Sequence, residues 1–171
     1  MKLDAERRRE LMARFKSTNT RSELALRREL RAAGMTGYRL HMPELPGRPD
    51  VVFTRWRVVV FVDGEFWHGH PSAFRFGTKG EYWDKKIARN CARDEACNLA
   101  LARAGWVIVR AWARDVERDP TSVAKLVSRA LEAAGRVPHV GNRSGKRDTV
   151  SASFEQVRAR STRPKLLSVG A

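Results

Sequence analysis

Residues 49–65 read PDVVFTRWRVVVFVDGE, and the fold turns on this stretch. Two β-branched runs, Asp50 to Thr54 and Arg57 to Asp63, flank Arg55-Trp56, a pattern that predicts an antiparallel hairpin. In a hairpin the start of one strand lies beside the end of its partner, so Asp50 and Asp63 are expected within reach of each other. Neighbouring carboxylates repel, and the pair is costly unless a cation sits between them. Either Asp alone reads as turn chemistry, which Asp favours. Together, in a strongly basic chain, they point to oxygen ligands at one sheet edge, the arrangement in which Mg²⁺ holds a phosphate and a water.

Working outward, residues 43–49 (PELPGRP) exclude regular structure, and Tyr38 to Met42 reads as a short strand. Further upstream, Thr20-Arg-Ser-Glu23 fits a capping box that opens a helix with Leu26, Leu30 and Ala33 on one face and Gly34 as its stop. Downstream, Gly64 ends the second strand, and residues 64–80 form an irregular loop rich in Phe, Trp and His. A long helix is expected from Glu81 to Ala104, with Trp83, Ile87, Cys97 and Leu101 inward and Gly105 as its stop. Trp106 to Trp112 is another strand. Asp119-Pro120 then caps a last helix with Val123, Val127 and Leu131 inward. The order predicts an α/β domain with a small mixed central sheet flanked by helices. Residues 18–137 would form it, between a basic amphipathic arm or helix at 1–17 and a basic, disordered tail at 138–171 that has few apolar residues.

The 171 residues carry 34 Lys and Arg against 19 Asp and Glu, a net charge of +15. Such a surplus repels itself and calls for a polyanion, nucleic acid first. At 42% the hydrophobic content suffices for one packed core. No apolar run approaches a membrane span, and the opening MKLDAERRRE is too charged for a signal peptide. Cys91 and Cys97 make neither a CxxC nor a zinc knuckle. A soluble protein of a reducing cytoplasm, associated with the nucleoid, is the expectation.

The loop after Asp63 carries the remaining candidates. His68, five residues beyond Asp63, reads either as a surface loop histidine or as a general base beside a metal-bound water, and His70 either helps it or is inert. Glu23 is either the capping-box acid or a member of the site. Adjacent Phe66 and Trp67 cannot both point inward from a strand, and with Trp83 they read either as core or as wedges and platforms for DNA bases. Lys85, Lys86, Arg89 and Arg93 then line the next helix as a solvated face or as phosphate contacts.

At this point the residues LPGRPD (45–50), VFVDGEFWHGH (60–70), YWDKKIARN (82–90) and NTRSELALR (19–27) resemble the very-short-patch repair (Vsr) mismatch endonucleases over about residues 10–117. The resemblance implies a fold similar to type II restriction enzymes, the PD-(D/E)xK class. It also implies a Mg²⁺-dependent nick in double-stranded DNA, 5′ to the thymine of a T:G mismatch left by deaminated 5-methylcytosine. Mismatch-repair proteins and a functionally linked DNA cytosine methyltransferase are the implied partners. By position, Asp50 is the central metal ligand, the Val62 carbonyl a second, His68 the water-activating base and Glu23 an outer orienting acid. Phe66, Trp67 and Trp83 match intercalating aromatics, and Lys86 and Asn90 positions facing the mismatch; beside the resemblance, Arg48 and Arg89 stand as further candidate DNA contacts.

The departures are specific. The best-known member has Thr-His where this chain has Val62-Asp63, so Asp63 is expected as an added metal ligand, and Glu65 stands where restriction enzymes usually have lysine. Zinc-holding members place cysteines where this chain has Glu65, the neighbourhood of Ser72, and Arg114, so no structural zinc is expected. Two alternatives stay open: a restriction-type enzyme that cuts both strands at a specific or modified site, and a catalytically inert DNA-binding domain.

Overall fold

The computed structural model describes residues 18–137; the expected arm at 1–17 and tail at 138–171 lie outside the described residues. Along the chain come α1 (Arg21–Ala32), β1 (Val51–Phe53), β2 (Val58–Asp63), α2 (Glu81–Arg103), β3 (Val107–Trp112), α3 (Ala113–Arg118) and α4 (Pro120–Ala133). The hairpin forms as expected, β1 against β2 in the register Val51↔Val60, Val52↔Val59, Phe53↔Val58. One 3-10 turn, Thr54–Trp56, and a left-handed Arg57 (φ 52°) close it. β3 lies parallel to β2 on the far side, from Val58↔Val107 to Asp63↔Trp112. A parallel pair needs a long crossover, and α2 with its preceding loop supplies it. The sheet is therefore mixed, in the order β1-β2-β3.

Side-chain alternation along the two Val-rich strands divides the core in two. Val51, Phe53, Val58 and Val60 face Leu26 and Leu30 of α1, Val116 of α3, and Val123, Val127 and Leu131 of α4. Val52, Val59 and Phe61 face the other way, onto Leu101 of α2 with Met42, Leu45, Trp106 and Ile108 packed around them. Because both faces are covered, β2 reads as an almost unbroken apolar run. Each fully buried Val or Leu contributes roughly 1.5–3 kcal/mol.

Three expectations are corrected. Tyr38 to Met42 forms no strand: only Arg39 bridges to Val52 (2.9 and 2.8 Å), and a left-handed His41 (φ 48°) turns the chain away. Ala33 is exposed, because α1 ends at Ala32 and Ala33 is its C-cap. A short α3 precedes α4, which starts at the expected Asp119-Pro120 cap, where Asp119 accepts the Ser122 amide at 3.0 Å. Among the described residues no helix is long and apolar enough to cross a membrane.

The loop that delivers Asp50 to the sheet depends on Gly47. Its φ is +76°, and a Cβ there would stand 3.2 Å from Phe61 Cε1 and 3.3 Å from Cys97 Sγ. Gly34 has a similar φ (+71°) with nothing within 4 Å. Gly47→Ala should therefore cost about 1–3 kcal/mol and Gly34→Ala about 1 kcal/mol. Urea midpoints compare the two; equal losses would mean the packing under the loop yields freely.

Candidate active site

Asp50 is the last residue before β1, and its Oδ2 accepts the Val62 amide N–H at 2.7 Å. The strand register makes this reach possible, since the start of β1 lies beside the end of β2. Burial pushes the Asp50 carboxyl up from 3.8 to about 7; the Val62 hydrogen bond opposes the rise, the charges of Glu23 and Asp63 add to it, and Arg110 opposes it. Glu23 arrives from the first turn of α1. Its Oε1 accepts the Thr20 hydroxyl at 2.8 Å in a complete capping box, while Oε2 accepts the Asn19 amide at 3.0 Å. The same Oε2 lies 3.3 Å from His41 Nε2, and His41 Nδ1 lies 3.6 Å from Asp50 Oδ1. Glu23 thus both caps the helix and belongs to the cluster. One donor atom from each of Glu23, His41 and Asp50 falls within 4.8 Å of the others, the one such group of metal-ligating side chains among the described residues. A buried and a half-buried carboxylate, the latter resisting ionisation, beside a buried imidazole nitrogen without a hydrogen bond, form a donor set that fits a divalent cation.

Asp63 does not join that cluster. Arg110, in the middle of β3, clasps it with two hydrogen bonds of 2.7 Å, Nε to Oδ2 and Nη2 to Oδ1. The guanidinium also donates to Asn98 Oδ1 (2.9 Å) and lies 4.5 Å above the Phe61 ring. Burial disfavours its charge, but the hydrogen bond and charge of Asp63, with Asp94 behind them, hold the Arg110 pKa above its ordinary value. Asp63, expected beside Asp50 as a second metal ligand, thus meets the Arg110 guanidinium, which it shares with Asp94. His68 Nδ1 meets Asp94 Oδ2 at 2.6 Å and stands 3.8 Å from Asp63 Oδ1.

The aromatic residues are neither core nor free. Phe66 packs edge-on against Trp67, Phe74 and Trp83 with centroids 5.2, 5.8 and 5.1 Å apart, and Phe66, Trp67 and Trp83 are each half-buried. Lys86 Nζ sits 5.1 Å from the Trp67 ring centre and 5.3 Å from that of Trp83. Asn90 donates to the Trp67 carbonyl at 3.1 Å and so braces this loop. Lys85 pairs with Glu81, while Arg89 and Arg93 are exposed on α2. Arg48 is exposed, with Nε donating to the His41 carbonyl at 3.1 Å. His70 lies apart from the acids, its ring on Trp112 and its Nδ1 at 2.8 Å from Ser72 Oγ. Glu65 accepts the Arg114 amide at 2.6 Å, which ties the loop directly to α3.

Three residues of the site carry weaker signals in sequence. Asp94 lies seven residues after Ile87 and seven before Leu101, so an acid occupies the buried stripe of α2. Arg110 is a charge in the middle of a short apolar strand. His41 has no comparable signal, because its place depends on a left-handed turn.

The family description DNA mismatch endonuclease Vsr matches residues 1–73. The type II nicking enzyme V.XorIIP of Xanthomonas oryzae pv. oryzae is 45% identical over 115 residues, 65% of this chain and 82% of that protein. The type II nicking enzyme V.HpaIIP of Haemophilus parainfluenzae is 36% identical over 134 residues, 76% and 94% of the two chains. The DNA mismatch endonuclease Vsr of Escherichia coli is 37% identical over 78 residues, 44% and 49%.

The raised pKa of Asp50 makes a stability prediction for the metal-free protein. Folding favours the protonated acid, so its contribution is complete below pH 3.8 and lost as pH rises through about 7. Asp50→Asn, neutral throughout, should be more stable than wild type by a margin that grows over this range and then levels, on the order of 2–4 kcal/mol. Urea midpoints across the range with chelator present measure it. A margin independent of pH would refute the titration of Asp50.

Proposed function

Because this chain belongs to the DNA mismatch endonuclease Vsr family and is a DNA endonuclease, we propose that it nicks one strand of duplex DNA 5′ to the thymine of a T:G mismatch, with Mg²⁺ as cofactor. One observation carries the proposal: the loop that brings His68 to Asp94 also presents Phe66 and Trp67, half-exposed, with Trp83 and Lys86 of α2 beside them. A mismatched pair stacks less well than a matched one, so rings inserted there separate the two by the cost of opening. Cutting and mismatch sensing then share one loop.

Asp50 and Glu23, with the Val62 carbonyl, would hold the cation. When bound, it would neutralise their charge and act as a Lewis acid on the scissile phosphate. His68 would take the proton of the attacking water at Nε2, since Nδ1 is the nitrogen that faces Asp94, at 2.6 Å. Asp94 is then a positioning residue, and Arg110 holds Asp63 and Asp94 in place behind the ring. Lys86, Arg89, Arg48 and the wider basic surface would neutralise backbone phosphates. The restriction-type alternative leaned on Asp63 and Glu65 as site acids, and both are engaged elsewhere, by Arg110 and the Arg114 amide. Cytosine methyltransferase and mismatch-repair proteins are the partners such an activity would have, and the cytoplasm its place.

Cleavage of labelled T:G and matched duplexes, with and without Mg²⁺, tests the proposal. A single metal-dependent nick confined to the T:G duplex is expected; cuts in both strands of matched DNA would favour restriction, and binding without cleavage an inert domain. His68→Ala should slow nicking by about 10²–10⁴-fold while DNA affinity holds, because a general base acts on the rate and the basic surface on binding. Gel-shift and single-turnover rates separate these, and a mutant with unchanged rate would remove His68 from the mechanism.

A further inference from the structure

His41 stands between the two acids proposed to hold the cation. Its Nε2 is buried and makes no hydrogen bond, although Glu23 Oε2 is only 3.3 Å away. Its backbone is pinned in a left-handed turn (φ 48°), and its carbonyl accepts Arg48 Nε at 3.1 Å. A ring nitrogen stripped of water and left unpaired is costly unless something else takes its lone pair. The spacing suits an ion. Neighbouring donors on an octahedral cation with bonds of ~2.1 Å stand about 3 Å apart and opposite ones about 4.2 Å. One donor atom from each of the three residues lies within 4.8 Å of the others, and Nε2 itself stands 3.3 Å from Glu23 Oε2, while the ring's other nitrogen faces Asp50 Oδ1 at 3.6 Å.

We propose that His41 is a nitrogen ligand of the cation held by Asp50 and Glu23, and that this site therefore binds Mn²⁺ in preference to Mg²⁺. The inference rests on Asp50 as a cation ligand and adds a donor to it. Carboxylate oxygens serve both ions, whereas imidazole suits transition-metal ions and competes poorly for the tightly hydrated Mg²⁺. Mg²⁺ would still work where it is abundant; the nitrogen donor tilts the site toward Mn²⁺.

Mn²⁺ binding by the whole chain without DNA, read by electron paramagnetic resonance, tests this apart from activity. Wild type should bind Mn²⁺ at least about tenfold more tightly than Mg²⁺ and show spin-echo modulation from one imidazole ¹⁴N. His41→Gln should lose the modulation and most of the Mn²⁺ preference. The triple variant His68→Gln, His70→Gln, His139→Gln, which leaves His41 as the sole histidine, should keep both, and it decides the matter even if His41→Gln does not fold. Bound Mn²⁺ without ¹⁴N modulation, modulation lost in the triple variant, or equal affinity for the two ions would overturn the proposal while leaving Asp50 as a ligand. Mn²⁺ binding unchanged in Asp50→Asn would overturn the underlying reading of the site instead. A wild-type protein that binds no Mn²⁺ would overturn both.

Discussion

A hydrogen bond of 2.7 Å from the Val62 amide to Asp50 Oδ2 ties the acid of the site to the sheet edge. It exists because β1 and β2 pair in the register Val51↔Val60, and a shift by one residue would turn every side chain of β1 to the opposite face. The core forbids that shift. Val51 and Phe53 are committed to the α1 and α4 layer, and Val52 to the α2 layer, so packing on both faces holds one hydrogen bond at the edge. The positions of Glu23 and His41 matter chemically because Asp50 is fixed.

Around that point the structure sorts its charges into two groups. On one side, Glu23, His41 and Asp50 gather carboxylates without a guanidinium in direct contact with Asp50, and the Asp50 carboxyl resists ionising. On the other, Asp63 and Asp94 share Arg110, and Asp94 in turn holds His68. In the first group Arg27 stands 4.0 Å from Glu23 and leaves Asp50 without a guanidinium, while in the second Arg110 serves both acids. Arg110 also tempers Asp50 from a distance, so the groups are electrically coupled while remaining chemically distinct.

The loop between β2 and α2 shows how a segment without regular structure is made specific. Its rings pack edge-to-face on one another, Asn90 and Cys91 of α2 bond to the carbonyls of Trp67 and His68, and Glu65 bonds to the Arg114 amide. Gly69 allows the close approach to α2: a Cβ there would lie 3.1 Å from Ile87. These contacts hold half-exposed rings beside an imidazole, an arrangement that hydrophobic collapse alone would not preserve.

Local pattern in the sequence determined the hairpin, the capping box at Thr20, the extent of α2, the cap at Asp119, the basic character and the candidacy of Asp50, Glu23 and His68. Each follows from residues a few positions apart, whose preferences act whatever the rest of the chain does. Charge pairing was decided only in three dimensions. Asp63 sits 13 residues from Asp50, yet its partner is Arg110, 47 residues away, and His68 finds Asp94 across 26. His41, read as part of a strand, becomes a site residue through a left-handed turn between Arg39 and the LPGRPD loop. Electrostatic partners are chosen by distance in space, and that distance is set by the packing of α2 and β3 onto β2, which no local spacing records.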